Sequence, residues 1–150
     1  MRILGIDPST VSTGWAIIDE HKTVVDCGAI CPNKKMDEQE KIKYVYDEIC
    51  NVIRDYSPTN MACEDQFARL NPKTLKILSR LVGSVLLAGE QNNLKVTLYA
   101  PTHVKSVFSG IGNATKEQMI EKAREYTIRE LCSDEADAIG VAITLMEELK

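Results

Sequence analysis

Repeats, low-complexity tracts, linker-like stretches and long apolar runs are all missing from this 150-residue chain, and each absence closes off a class of protein. Without an apolar run of about 20 residues there is no bilayer-spanning helix to expect. The N-terminus lacks the basic flank and apolar stretch of an export signal. Five cysteines (Cys27, Cys31, Cys50, Cys63, Cys132) are odd in number and scattered. Only Cys27 and Cys31 lie close together, and no second Cys or His pair follows to complete a zinc site. Reduced structural thiols in a cytoplasmic protein are the expectation. Of the two histidines, His21 sits in a turn-like stretch and His103 reads as a local hydrogen-bonding or nucleic-acid-facing residue. Neither is an obvious catalytic base. What remains is one domain over residues 1–150 with one sizeable core.

Hydrophobic residues make up 44% and charged residues 27%, ordinary for a globular chain, and the net charge is −4. That balance hides a strong asymmetry. Residues 1–65 carry 12 acidic and 7 basic side chains, residues 66–129 only 4 acidic against 10 basic, and residues 130–150 again 6 acidic against 1 basic. Phosphate contacts need local positive charge, so the basic middle third keeps nucleic acid open as a partner despite the acidic total.

Ile3-Leu4-Gly5-Ile6 is a nearly continuous apolar run ending at Asp7-Pro8, as in a buried central strand. Trp15–Ile18 and Thr23–Ile30 follow after short turns, which suggests a three-strand antiparallel meander. Apolar residues at 42, 45, 49, 52, 53 and 56 step at helical spacing until Ser57-Pro58. A short strand then runs over Met61–Glu64. Asn71-Pro72 opens a helix over 72–91 that is apolar on two stripes, Leu75, Leu78, Val82 and Val85 on one, Ile77, Leu81 and Ala88 on the other. That much apolar surface on one helix predicts a partner surface on it. Val96–Tyr99 reads as a fifth strand, Thr115 with Gln118 as a capping box before a helix at Lys116, and Ser133 as the cap of a last helix. This order, βββαβαβ and then helices, predicts an α/β fold: a five-stranded mixed sheet, three strands antiparallel and then two parallel, flanked by helices on both faces.

The acidic residues fall at structurally special places. Asp7 ends the first strand and Glu64 the fourth, while Asp134 and Asp137 are three apart and share one helix face. Strand ends and an adjoining helix end can bring all four together. Each has an ordinary explanation, a turn or a helix dipole, but their joint placement is explained at once by a metal site. Clustered carboxylates repel, and oxygen-only ligands favour Mg²⁺ or Mn²⁺ over zinc. Two such ions about 4 Å apart activate water and stabilise a departing phosphodiester oxygen.

Four segments carry a family resemblance: Gly5-Ile6-Asp7-Pro8-Ser9-Thr10 through Trp15, Ala62-Cys63-Glu64-Asp65-Gln66-Phe67, Val104-Lys105 with Gly110-Ile111-Gly112-Asn113-Ala114-Thr115-Lys116, and Asp134-Glu135-Ala136-Asp137-Ala138-Ile139. In this order and spacing the chain resembles the RuvC family of Holliday junction resolvases, crossover junction endodeoxyribonucleases of the RNase H-like superfamily. The resemblance implies that Asp7, Glu64, Asp134 and Asp137 hold two Mg²⁺ ions, with Mn²⁺ as a substitute, and that hydrolysis leaves 5′-phosphate and 3′-hydroxyl ends. It implies that Phe67 stacks or wedges at opened bases, and that Lys105 and Lys116 contact phosphates. Lys116 also opens a capped helix, where free N–H groups favour an anion. Arg69, Lys73, Lys76 and Arg80 would flank the DNA. The implied partners are branched DNA, above all four-way junctions, and a second copy of the chain against the 72–91 helix, so that two sites make paired symmetric nicks. A bacterial or phage-infected bacterial cytoplasm is the implied setting.

Two departures stand out. Ser9 replaces the glycine usual after the Asp-Pro pair, and Asp65 adds a charge beside Glu64, features that resemble shorter, phage-type relatives. Three rival readings share parts of the pattern. Gly-Ile-Asp with a following Ser/Thr and Gly also opens actin- and sugar-kinase-like folds, but 150 residues leave no room for their second lobe. A junction-binding module without catalysis would be expected to lose one of the four carboxylates. A broader branched-DNA or RNase H-type nuclease would use the same metal chemistry.

Overall fold

A computed structural model of the chain describes residues 1–65 and 71–150. At its centre lies β1 (Arg2–Asp7), buried at every position after Arg2, as a strand covered on both faces must be. β2 (Thr13–Asp19) pairs antiparallel with β1, and β3 (Val24–Ile30) antiparallel with β2, forming the expected meander. The β2–β3 turn is held by Asp19, whose side chain accepts from the backbone N–H groups of His21 and Thr23, each at 2.9 Å. β4 (Asn60–Glu64) runs parallel to β1 on its other side, and β5 (Val96–Tyr99) parallel to β4. The sheet order is β3-β2-β1-β4-β5.

Two helices cover one face. α1 (Glu38–Tyr56) starts at Asp37, whose carboxylate accepts from the Glu40 N–H at 2.8 Å, and ends at Ser57 in the left-handed region. α2 (Pro72–Gln91) is capped by Asn71, which accepts from the Thr74 N–H at 2.9 Å, with Pro72 in the first turn as expected. Val45, Ile49, Leu78, Leu81, Val85 and Ala88 meet Leu4, Ile6, Ile17 and Met61 in one core layer. Leu81 and Ala88 of the second stripe are therefore inside the chain's own core, and Ile77 is half-buried. α2 packs against α1 as well as the sheet, which buries most of both stripes, while Leu75 and Ile77 stay half-buried. The apolar surface it leaves outside is Leu86 and Leu87, 38% and 51% exposed.

The other face is covered by α3 (Pro101–Ser109), α4 (Lys116–Ala123) and α5 (Ser133–Glu148). Val104, Phe108, Met119, Ile139, Ala142 and Ile143 join Ile3, Ala16 and Ala62 in the second core layer. α3 is an element that periodicity did not announce: nine residues are too few to repeat a pattern, and only Pro101 at its start and Gly110 (φ 80°) at its end mark it. The Thr115–Gln118 capping box is present. The start of α5 moves by one residue from expectation. Cys132, not Ser133, is the cap, and its N–H donates to Glu135 Oε2 at 3.0 Å.

Candidate active site

Asp7 and Glu64 stand at the C-terminal ends of adjacent parallel strands, one residue beyond the Ile6–Cys63 pair of the register. Ligand sites in α/β sheets form at such strand ends because the backbone stops there while the side chains still point from a fixed frame. Directly across β1–β2, Asp7 faces Gly14. This glycine admits the first turn of α5: a Cβ at position 14 would fall on the Asp134 carbonyl, and one at Gly5 would lie 2.6 Å from the Ala142 amide nitrogen. Two glycines inside the sheet therefore let α5 lie on the backbone of β1 and β2, which brings Asp134 and Asp137 to Asp7. Sequence reasoning passed over both, although glycine within a strand pattern is the signal for close backbone approach. The loop after Asp7 is tied by Thr13, fully buried, whose hydroxyl lies 3.4 Å from both the Ser9 amide and the Ser9 carbonyl.

Electrostatics records the crowding. Burial, then the charge of Glu64 and a hydrogen bond with it, then Asp137 and Asp134, push the Asp7 carboxyl well above the usual carboxylate range. Burial raises Glu64, while its bond to Asp7 and the Lys105 ammonium act the other way. Asp137 is pushed up to about 7 by burial and by Glu64, against the pull of Lys105. Asp134 raises it further and Lys116 lowers it. Glu64, Asp137 and Asp134 thus all act on Asp7, and the charges of both expected lysines act on Asp137, Lys105 from α3 and Lys116 from the first residue of α4.

The remaining expected residues sort differently. Lys73 and Lys76 are exposed on the first turns of α2. Arg80 is exposed too, but its guanidinium is bound to Glu38 of α1 at 2.8 Å. Phe67 and Arg69 lie outside the described residues. His103 bonds Glu148, far along the chain, rather than a local partner. Beside the carboxylates, Ser9 and Thr10 join Pro32, Ile42, Ile77 and Leu81 around a mainly apolar cleft of about 170 Å³.

The donor set is all oxygen, which suits hard divalent cations. Among the described residues, no three acidic, His or Cys side chains are set around a common ion position, and burial together with the charge of Glu64 favours a proton on Asp7. A proton held between two buried carboxylates offsets the same repulsion that a cation would offset, so the site's chemistry fits a cation that displaces protons.

The model of the family described as crossover junction endodeoxyribonuclease RuvC matches residues 3–145. The chain belongs to the RuvC family. The RuvC of Fusobacterium nucleatum subsp. nucleatum is 38% identical over 155 residues, covering 99% of this chain and 82% of that protein. Among solved structures, Thermus thermophilus RuvC superposes with a TM-score of 0.86 at 21% identity, covering 99% of this chain and 96% of that one. The same protein in complex with a Holliday junction substrate gives 0.85 at 22% identity, over 96% and 92% of the two chains. The five-stranded mixed sheet with helices on both faces is thus the RNase H-like fold of RuvC. No helix among the described residues is long and apolar enough to cross a membrane.

Proposed function

We propose that this RuvC-family chain is a divalent-metal-dependent endodeoxyribonuclease that resolves four-way DNA junctions by paired symmetric nicks. Family membership at 38% identity to a named crossover junction endodeoxyribonuclease supports the reaction class. The site reading is supported by Asp7 and Glu64 on adjacent strand ends, by the first turn of α5 lying against Gly14, and by the charges that Glu64, Asp134, Asp137, Lys105 and Lys116 bring to this cluster. Asp7, Glu64, Asp134 and Asp137 would hold two Mg²⁺ ions, with Mn²⁺ as a substitute. Bound there, the ions supply charge for water activation and for the departing oxygen of the phosphodiester.

The chain's own residues do the rest. The carboxylates lose their shared protons as they take up cations, so metal binding and proton release are coupled. Lys105 and Lys116, on two helices that flank the cluster, hold phosphates of the cut strand against it. Lys73 and Lys76 extend the positive surface along α2, with Arg80 shared with Glu38, and Phe67 and Arg69 complete the junction-contacting set. A second copy docks against the exposed Leu86–Leu87 edge of α2, giving two sites per junction. The cytoplasm of a bacterium, or of a phage-infected one, is the setting this reading implies.

The decisive experiment is cleavage of a synthetic mobile four-way junction in Mg²⁺ by the wild-type chain and by Asp7→Asn. Two symmetric nicks are expected from wild type. The mutant should lose at least ~1,000-fold in rate, as expected where charge stabilisation is removed from the reacting centre, and should still bind the junction. Binding without cutting by wild type, in either Mg²⁺ or Mn²⁺, would sink the catalytic reading. Equal cutting of forks or three-way DNA would widen the substrate class.

A further inference from the structure

Outside the proposed catalytic set, three residues form a polar cluster joining three elements. Tyr99 ends β5 directly opposite Glu64 in the parallel register, and its carbonyl accepts the Asp65 N–H at 2.7 Å. Its phenol donates to Glu148 Oε2 at 2.6 Å. The other oxygen of that carboxylate, Oε1, meets His103 Nε2 at 2.7 Å. The Tyr99 and His103 rings stack at 5.5 Å between centroids. Glu148 is the last residue of α5, the helix whose first turns carry Asp134 and Asp137.

What the cluster holds is the start of α3. That helix has no side-chain cap at Ala100. Val104 and Phe108 bury its apolar side, with Phe108 lying close to Gly140 of α5. Apolar contacts of this kind resist separation of two helices more than sliding or rotation of a short one. Direction comes from the polar end, where the Glu148 carboxylate also brings negative charge to the helix N-terminus, the end that favours it. Two residues beyond His103 stands Lys105.

We infer that Glu148, bridging Tyr99 and His103, is a positioning residue that sets Lys105 of α3 against the carboxylate cluster, tying the strand end beside Glu64 to both helices. Glu148 touches neither the carboxylates nor the lysine, and acts through α3. The inference rests on the proposed role of Lys105 in cleavage.

The test is a double-mutant cycle on cleavage of the four-way junction in Mg²⁺ under single-turnover conditions, with junction affinity measured in parallel. Lys105→Ala should slow cleavage on the order of 100-fold, and Glu148→Ala on the order of five- to tenfold without changing affinity. In the Lys105→Ala background, Glu148→Ala should have no further effect, because the lysine it positions is gone. Glu148→Gln keeps an acceptor for the Tyr99 phenol and should cut at nearly the wild-type rate. Glu147→Ala serves as the control: its neighbouring carboxylate pairs with Lys22 and Lys150 and has no link to α3, so cleavage should be unchanged. Equal slowing by Glu148→Ala in both backgrounds overturns the inference, as does an effect matched by Glu147→Ala. If Lys105→Ala cuts like wild type, the role assigned to Lys105 fails first, and that result is distinguishable from failure of the brace.

Discussion

The two faces of the sheet are built by different rules. On one, α5 lies against strand backbone, with Gly5 and Gly14 removing the side chains that would keep it away. On the other, α1 and α2 stand off on branched side chains and leave a cleft of about 170 Å³ lined by Val45, Ile77 and Leu81. The close face carries Asp134 and Asp137, and the carboxylates of a helix can meet those of a strand end only if the helix axis is drawn in. The looser face can vary its side chains at modest cost, since volume-conserving apolar exchanges are tolerated where backbone contact is not required. The proposed chemistry occupies the face where backbones touch.

The sharpest way to break this contrast is Gly5→Ala. Its new Cβ would lie 2.6 Å from the Ala142 nitrogen and collide with the Ala138 carbonyl, both backbone atoms that no rotamer change can move. A loss of about 3 kcal/mol or more is expected in urea unfolding, the range for overpacking against a rigid core. Gly14→Ala pushes on the Asp134 carbonyl instead, and junction cleavage should fall further than stability does. Wild-type unfolding by Gly5→Ala would mean that α5 can lift off the sheet, and the close-contact account would have to go.

A smaller effect probes what the close face costs electrostatically. The Asp137 carboxyl is pushed up to about 7, chiefly by burial, whereas an unfolded aspartate titrates near ~3.9. Between these values the folded chain binds a proton that the unfolded chain releases. Metal-free stability should therefore fall as pH rises from about 4 towards about 7 and stay reduced above it. In EDTA, Asp137→Asn should flatten that profile and add about 1–2 kcal/mol at pH 8, a stability gained at the expense of the proposed metal site. Mg²⁺ should stabilise wild type at pH 8 and lose most of that effect at pH 5, where the carboxylates hold protons. A wild-type profile that instead rises between pH 5 and pH 8 without metal would contradict the crowding of these carboxylates.

Much of this was legible in the sequence, for reasons that differ by residue. The strands, α1 and α2 announce themselves because apolar period and turn chemistry agree, as with Ser57-Pro58 and Asn71-Pro72. The four carboxylates proposed for the site stand out in the sequence because each sits where an element ends. What stayed hidden depends on distance through space. α3 is too short for a pattern. Which part of α2 stays free for a partner was hidden, because periodicity reports that a face is apolar, not whether α1 or a second chain covers it. Glu148 reads as one more terminal acid until the fold brings Tyr99 and His103 to it.

The smallest expected effect comes from repeating the glycine exchange on the looser face. Gly83 lies mid-helix in α2, is exposed, and a Cβ there would meet nothing within 4 Å. Glycine in a helix interior costs about 0.5–1 kcal/mol relative to alanine, through backbone entropy. Gly83→Ala should therefore stabilise the chain by about that amount in urea unfolding, the opposite sign from Gly5→Ala for the same added methyl group. Junction cleavage should be unchanged, since no carboxylate position depends on this turn. A loss of stability at Gly83 that grows with protein concentration would carry different information. It would place a second copy's backbone against this turn, and the contrast between the faces would then be one between contact within a chain and contact between two.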